Sequence, residues 1–479
     1  MSPDRRRWAA LIVLCTGMLM IVLDLTVVNV ALSSIQADLG FSEASLAWVV
    51  NAYLIPFGGL LLLAGRLGDL FGRRRLFLAG LTVFTLASLA CGLAQNEATL
   101  VAARFVQGIG GAMTSAVILG MIVTMFPEPR EQARAIGAFA FVASAGGAVG
   151  LLAGGLLTQT INWHWIFFIN IPFGIITGLL AVRFVDHESG IGLSEGTDLL
   201  GALTVTAALM LGVYAIVGPA ATHGWSAAPT LGFGAASLVL LTVFVVREIT
   251  AANPLVPMGI FRSRNVCGAN LIQIASVAGM FGIFFMGSLY LKKVLGYDPM
   301  EIGSAFLPTT ILMGTLSLRF TEPLVSRYGA RPVLVTGLML IAAGLAVFTQ
   351  APVDGHYVQH VLPVMVLLGT GAGLAFPSLM TLAMSGATPE NAGLASGLVN
   401  TTAQVGAALG LAVLATLSAA RTTALTSSGA GAKAALTGGY HLAFGVAAGL
   451  VAVSVAIAVF VLQPVTEGAA TDARVLEPV

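Results

Sequence analysis

The sequence predicts an all-α membrane protein, and three observations carry that prediction. Of 479 residues, 57% are hydrophobic and only 9% are charged, where soluble domains carry about 25% charged residues. Uncharged runs recur from end to end, and about 18 or more apolar residues in a row are enough for one helical crossing of a bilayer. The basic residues also gather in alternate loops, as described below. The 57 glycines suit this class, because small residues let membrane helices approach closely.

The elements follow in order. Span one, 8–33, comes directly after "MSPDRRRW". It is too long for a signal-peptide core and lacks a clear cleavage site, so it reads as a retained helix. Spans two to six lie at 46–64, 76–95, 98–125, 135–157 and 164–184. Spans seven to ten lie at 198–218, 229–247, 265–291 and 301–320. Spans eleven to fourteen lie at 332–349, 359–384, 392–418 and 440–463. Fourteen crossings put both termini on one side. With that side cytoplasmic, 17 of the 22 Lys and Arg residues fall inside, four (Lys292, Lys293, Arg421 and Lys433) fall outside, and Arg104 lies within span four. This is the bias expected of cytoplasmic loops. The longest internal connections are 185–197, 248–264 and 419–439, and the last reads as a flexible outer loop.

An internal repeat divides the sequence. "LFGRRRL" follows span two and "RYGARPV" follows span ten, with Gly72 and Gly329 257 residues apart. Glu131 and Glu390, after spans four and twelve, are 259 apart. Two six-span halves with a two-span insertion account for this, and repeats of this kind mark secondary transporters with a site between the halves. The expected division is 1–184, an N-terminal six-helix bundle; 185–264, two inserted helices with linkers; 265–464, a C-terminal six-helix bundle; and 465–479, a cytoplasmic tail.

Several function classes are excluded at this level. The net charge of +1 argues against a nucleic-acid partner. Cys15, Cys91 and Cys267 lie in apolar runs without metal-ligand or redox spacing and read as small buried hydrophobes. "GIGGAM" and "GTGAG" lie inside apolar spans with no preceding strand, and there is no phosphate-binding loop with its lysine. No nucleophile triad or metal cluster is expected; the six histidines sit near loops or span ends. The protein is therefore expected to be no enzyme, to hold no metal or cofactor, and not to drive transport with ATP by itself; a proton gradient as its energy source is what the resemblance described below implies.

The charges that remain in the bilayer are informative. Asp24 and Arg104 are the two clear charges deep in spans, where ionisable groups are costly and mark function by default. Asp24 lies about eight residues, roughly 12 Å, from the outer end of span one, and Arg104 about six residues, roughly 9 Å, from the outer end of span four. Their similar depth allows an ion pair, direct or through water. Burial raises a carboxyl's pKa and a neighbouring guanidinium lowers it, so a movement that changes either moves a proton. Gln107, one turn from Arg104, is a natural hydrogen-bond partner.

The inner loop "GRLGDLFGRRR" joins spans two and three. Gly65 and Gly72 allow close approach and a sharp turn, and Arg73 and Arg74 hold the loop in the cytoplasm. Asp69 is placed to pair with an arginine or to cap a helix N-terminus; on charge alone the loop also reads as a plain positive-inside connection. A candidate substrate surface gathers Trp48, Asn51, Tyr53 and Phe57 on span two, and Asn270, Gln273, Phe281, Phe284, Phe285 and Tyr290 on span nine. Gln107, Phe376, Asn400 and Gln404 join it from spans four, twelve and thirteen. Apolar and aromatic walls with a few polar groups suit amphipathic molecules.

These segments together resemble a known family. The loop 65–75 is similar to the major facilitator superfamily signature G-x-L-x-D-R-x-G-R-R, with Leu70 in place of an arginine. "LDLTVVNVAL" and "RFVQGIGGAM" resemble the first- and fourth-span motifs of its fourteen-span drug:proton antiporter branch. "GLLAGG", with Gly150, Gly154 and Gly155, resembles the fifth-span antiporter motif but carries Leu151 for proline. "NWHWIFFINIPFG" resembles the sixth-span motif with His164 for arginine, and a histidine titrates near neutrality where an arginine does not. "PLVPMGIFRSRN" and "GLASGLVNTTAQVGAALG" match as well. The resemblance implies a major facilitator fold, alternating access between two bundles, and export of drugs or antibiotics in exchange for protons across the bacterial cytoplasmic membrane. It implies a proton-coupling role for Asp24 and Arg104 and a conformational role for the loop and the fifth-span glycines. A monomer acting on a small amphipathic substrate within the lipid bilayer is expected. The rivals are a same-fold carrier of one metabolite or siderophore and, from another class, a channel or membrane enzyme. In the second half Ser326 stands in the place of Asp69, so any acid latch there is expected to be weaker or absent.

Overall fold

The computed structural model describes residues 3–41, 48–187, 199–220, 223–251, 263–297, 299–385 and 392–463, with single positions 190, 192, 254, 259 and 261. Glu390, one marker of the repeat, and the tail 465–479 lie outside the described residues. The described residues are helical throughout the spans. The first six crossings are α1 (Pro3–Leu39), α2 (Trp48–Phe71), α3 (Arg73–Gly92), α4 (Glu97–Met125), α5 (Pro129–Thr160) and α6, which is split into Trp165–Phe168 and Asn170–Phe184. Then come α7 (Leu199–Ala215, followed by a π turn, Ile216–Ala220) and α8 (Ala228–Thr250). The last six begin with α9 (Arg264–Lys293) and α10, which runs as Pro299–Thr315, a π turn at Leu316–Phe320, and Thr321–Tyr328. They end with α11 (Ala330–Phe348), α12 (Tyr357–Ala383), α13 (Ala392–Ser427) and α14 (Ala432–Phe460).

Local chemistry sets several of the ends. Asn96 caps α4 by accepting from Thr99 N at 2.9 Å, and Ser263 caps α9 by accepting from Val266 N. The α2–α3 and α10–α11 turns pivot on Gly72 at φ 98° and Gly329 at φ 84°. A positive φ of this size is open to glycine and strained for other residues, so the repeat found in the sequence reappears as two equivalent turns.

Thirteen helices among the described residues are long and apolar enough to cross a membrane. The segment expected as span ten is α10, which its π turn interrupts and which is not among the thirteen. Ser317 and Thr321 hydroxyls there donate to Gly373 O of α12 at 3.1 and 2.9 Å, which ties the irregular turn to its neighbour. The expected outer loop 419–439 is corrected: α13 runs on to Ser427 and α14 begins at Ala432, leaving only 428–431 between them. The segment is rich in alanine, the best helix former. The hydroxyls of Thr422, Thr423, Thr426 and Ser427 fold back onto carbonyls four residues earlier at 2.8–3.0 Å, so they need no water.

Helices α1–α6 pack among themselves, as do α9–α14, and the two groups meet where α13 lies on α2 and α4 and where α10 and α12 lie on α5. Helix α2 changes partner along its length. Towards its C-terminal end a Cβ on Gly65 would stand 2.5 Å from Gly393 O of α13, so the backbones touch. One to two turns earlier, Gly58 and Gly59 face Val213 and Met210 of α7, and Trp48 stacks on Tyr214 at 6.0 Å. The inserted pair reaches α13 too, where Trp225 Nε1 donates to Thr416 Oγ1 at 3.3 Å. It therefore contacts both α2 and α13.

Candidate functional site

Asp24 and Arg104 do meet. Arg104 Nη1 donates to Asp24 Oδ2 at 2.5 Å, with both residues about 1% exposed. Burial without partners would be prohibitive for either charge, and the site supplies partners on every side. Gln107 Nε2 donates to Asp24 Oδ1 at 2.8 Å, and Asn170 Nδ2 donates to the same oxygen at 3.1 Å. Gln107 Oε1 accepts from Arg104 Nη1 at 2.7 Å, and Arg104 Nε donates to Val49 O of α2 at 2.9 Å. Ser88 Oγ accepts from Gln107 Nε2 at 2.8 Å and donates to Phe84 O. The guanidinium also lies 4.5 Å over the Tyr53 ring, a cation–π contact. The Tyr53 hydroxyl is buried with no hydrogen-bond partner among the described residues.

Five helices build this cage. Helix α5 is brought against α1 beside Asp24 by the fifth-span glycines: a Cβ on Gly150 would run into Thr26 Oγ1, and one on Gly154 would stand 3.0 Å from Val27 Cα. Gly155 is half-buried, and the side chain of Leu151 lies outside the described residues, although α5 is continuous past it. Sequence patterns pointed to Asp24, Arg104 and Gln107 but not to Ser88 and Asn170. A signal for Asn170 existed: an amide at the break of α6, two residues before Pro172, in an otherwise apolar run.

The second buried acid is Asp69, 4% exposed. Arg73 Nε and Nη2 donate to its Oδ1 at 3.0 and 2.9 Å. Gly393 N donates to Oδ1 at 2.9 Å and Leu394 N to Oδ2 at 2.8 Å. These two amides belong to the first turn of α13, where unpaired N–H groups and the helix dipole favour an anion. One carboxylate thus joins the arginine of its own loop to a helix of the other half. Arg74 turns away and donates to Val182 O at 2.6 Å. In the second half Ser326 is exposed, donates to Glu322 Oε1 at 3.2 Å, and lines an open groove with Arg130, Glu322, Pro323 and Arg327.

The candidate substrate residues do not form one surface. Tyr53 and Phe57 are packed core, stacked on each other at 5.3 Å. Tyr290 is fully buried, donates to Pro352 O at 2.6 Å and packs on Phe348. Asn270 donates to Val266 O and accepts from Thr402 Oγ1, and Gln273 is buried with no partner for Oε1 among the described residues. Phe281, Phe284 and Phe285 are exposed, and Trp48 lies against the inserted pair. Asn51, Phe376, Asn400 and Gln404 are half-buried. Asn400 of α13 reaches Ser115 O of α4 at 3.4 Å, across the two halves. At the outer end His164 Nε2 stands 3.7 Å from Asp38 Oδ2, which also accepts from Trp163 Nε1 at 2.9 Å.

Two helical groups in contact through glycines, with a caged acid in one and an acid bridging both, define a multi-pass membrane carrier. Residues 14–411 match the family model described as Major Facilitator Superfamily. The protein is 38% identical over 443 residues to the puromycin resistance protein pur8 of Streptomyces alboniger, covering 92% of its own length and 88% of that protein. It is 39% identical over 416 residues to the cephamycin export protein CmcT of Amycolatopsis lactamdurans, covering 86% and 85%. Among solved structures it is similar to the human organic anion transporter MFSD10 at a TM-score of 0.67 and 13% identity, over 96% of its own length and 100% of that structure. The protein belongs to the major facilitator superfamily.

Proposed function

We propose that the protein exports amphipathic drugs or antibiotics across the bacterial cytoplasmic membrane in exchange for protons. Relatives over most of the length bear the names of antibiotic resistance and export proteins, which supports the cargo class. The distribution of Lys and Arg supports cytoplasmic termini. The single observation that carries the coupling is the caged Asp24: a carboxylate held by Arg104 and two amides in a dry site exchanges its proton only when the cage changes. The division into bundles 1–184 and 265–464 around an inserted pair supports alternating access. In this reading Asp69 latches the cytoplasmic ends of the halves while Asp24 is held as an anion, and the carrier acts alone, without cofactor or catalysis.

Inside-out membrane vesicles test this. Energising them to an acid interior should drive uptake of several unrelated amphipathic drugs, and a protonophore should abolish it. Uptake of one compound only, without competition by the others, would favour the single-metabolite exporter instead.

A further inference from the structure

Among the described residues, the cage around Asp24 is made of donors only. Gln107 and Asn170 offer N–H to Oδ1, and Arg104 offers N–H to Oδ2. Donor and acceptor ends of both amides follow from these neighbours, since only NH2 suits a carboxylate. Such a cage fits the anion. A protonated acid adds an O–H donor, and a buried donor without an acceptor is costly. The Ser88 oxygen already accepts from Gln107, and its proton is given to Phe84 O. Other titratable groups facing Asp24 are the Tyr53 ring under the guanidinium and the Cys91 thiol, which points at Gln107 Oε1 at 3.6 Å.

One residue can supply the missing acceptor at little cost. Turning the Gln107 amide over would face its NH2 to the Arg104 guanidinium and forfeit the 2.7 Å bond its carbonyl now accepts. Asn170 makes the longest bonds of the cage, 3.1 Å to Asp24 and 3.4 Å to Ser88. It also sits two residues before Pro172, whose missing N–H leaves a gap in the hydrogen-bond ladder of α6 while the backbone stays helical at Ile169. Resting on the reading of Asp24 as the coupling acid, we propose that Asn170 is a positioning residue whose amide turns over with each protonation of Asp24. It donates to the carboxylate and accepts from the acid. The proton taken up stays on Asp24, and no other covalent bond forms or breaks. Helix α6 is thereby told which state α1 is in.

Infrared difference spectra of the purified full-length protein between high and low pH read this directly, without a drug. The expected result is a protonated-carboxyl band that is lost in Asp24→Asn, rising together with a shifted amide carbonyl band from an asparagine. Isotope-labelled asparagine identifies that band, and Asn170→Leu removes it. Asn170→Leu should lower drug-induced proton flux in liposomes, with ethidium as the probe, roughly ten-fold, and Asn170→Ser, which can still donate and accept but reaches less far, should lower it less. A carboxyl band that titrates while every asparagine band stays still would overturn the inference and leave Asp24 as the coupling acid. No carboxyl band sensitive to Asp24→Asn would overturn both.

Discussion

Asp24 and Asp69 are both buried, both face an arginine within 3.0 Å, and both accept from two further N–H groups. They differ in whose groups those are. The partners of Asp24 among the described residues belong to α1–α6, so its cage closes within one half. Asp69 takes one pair of donors from Arg73 of its own loop and the other from the first turn of α13, 324 and 325 residues away. In the proposed mechanism a proton is traded at Asp24 without parting the halves, whereas the bonds of Asp69 to α13 would have to break whenever the halves part. The same chemical group is thus enclosed within one half in one place and ties the two halves together in the other, and the proposed roles rest on that difference.

The largest expected effect is at the closed cage. Arg104→Ala leaves a carboxylate without its countercharge in a dry site, and breaking a buried pair costs about 3–5 kcal/mol. Transport should vanish, and the melting temperature in detergent should fall by scanning fluorimetry. Asp69→Asn comes next. The amide is neutral and keeps one acceptor, so about 2 kcal/mol of charge-assisted bonding is lost, roughly thirty-fold in the equilibrium between closed and open inner ends. Transport in vesicles should fall steeply while membrane insertion is kept. Wild-type transport would return Asp69 to a plain positive-inside loop. Ser326→Ala, at the matching place of the other half, should change transport by less than about two-fold, as expected of an exposed residue. A loss as large as that of Asp69→Asn would erase the contrast between the halves.

The two sites were legible in the sequence to different degrees. Asp24 and Arg104 could be matched because depth in a helix is read by counting residues, and both stand out against uncharged runs. Ser88 could not, since a neutral hydroxyl in a span carries no comparable signal until its neighbours are known, and Asn170 offered only the weaker signal of an amide just before Pro172 in an apolar run. For Asp69 the options of an arginine and a helix N-terminus were both open, and the structure shows both at once. That α13 supplies the N-terminus depends on packing between halves, which no local pattern records. The crossings were legible as apolar runs, but the end of α13 was misjudged: small polar residues looked like a loop, while their hydroxyls bond back to their own helix. Burial of the aromatic residues was not legible, because Tyr290 in the core and Phe281 at the surface look alike in sequence.

The central claim is that Asp24 carries the coupling proton, and Asp24→Asn in proteoliposomes with an imposed proton gradient tests it most directly. The amide keeps the size of the acid and cannot exchange a proton. Moving one charge across 100 mV is worth about 2.3 kcal/mol, or roughly fifty-fold in concentration, for a one-proton exchange with an uncharged drug. The variant should lose that accumulation and its drug-induced proton movement, while drug equilibrating down its own gradient is retained. Uphill drug transport with wild-type proton flux in Asp24→Asn would contradict the account and place the coupling site elsewhere.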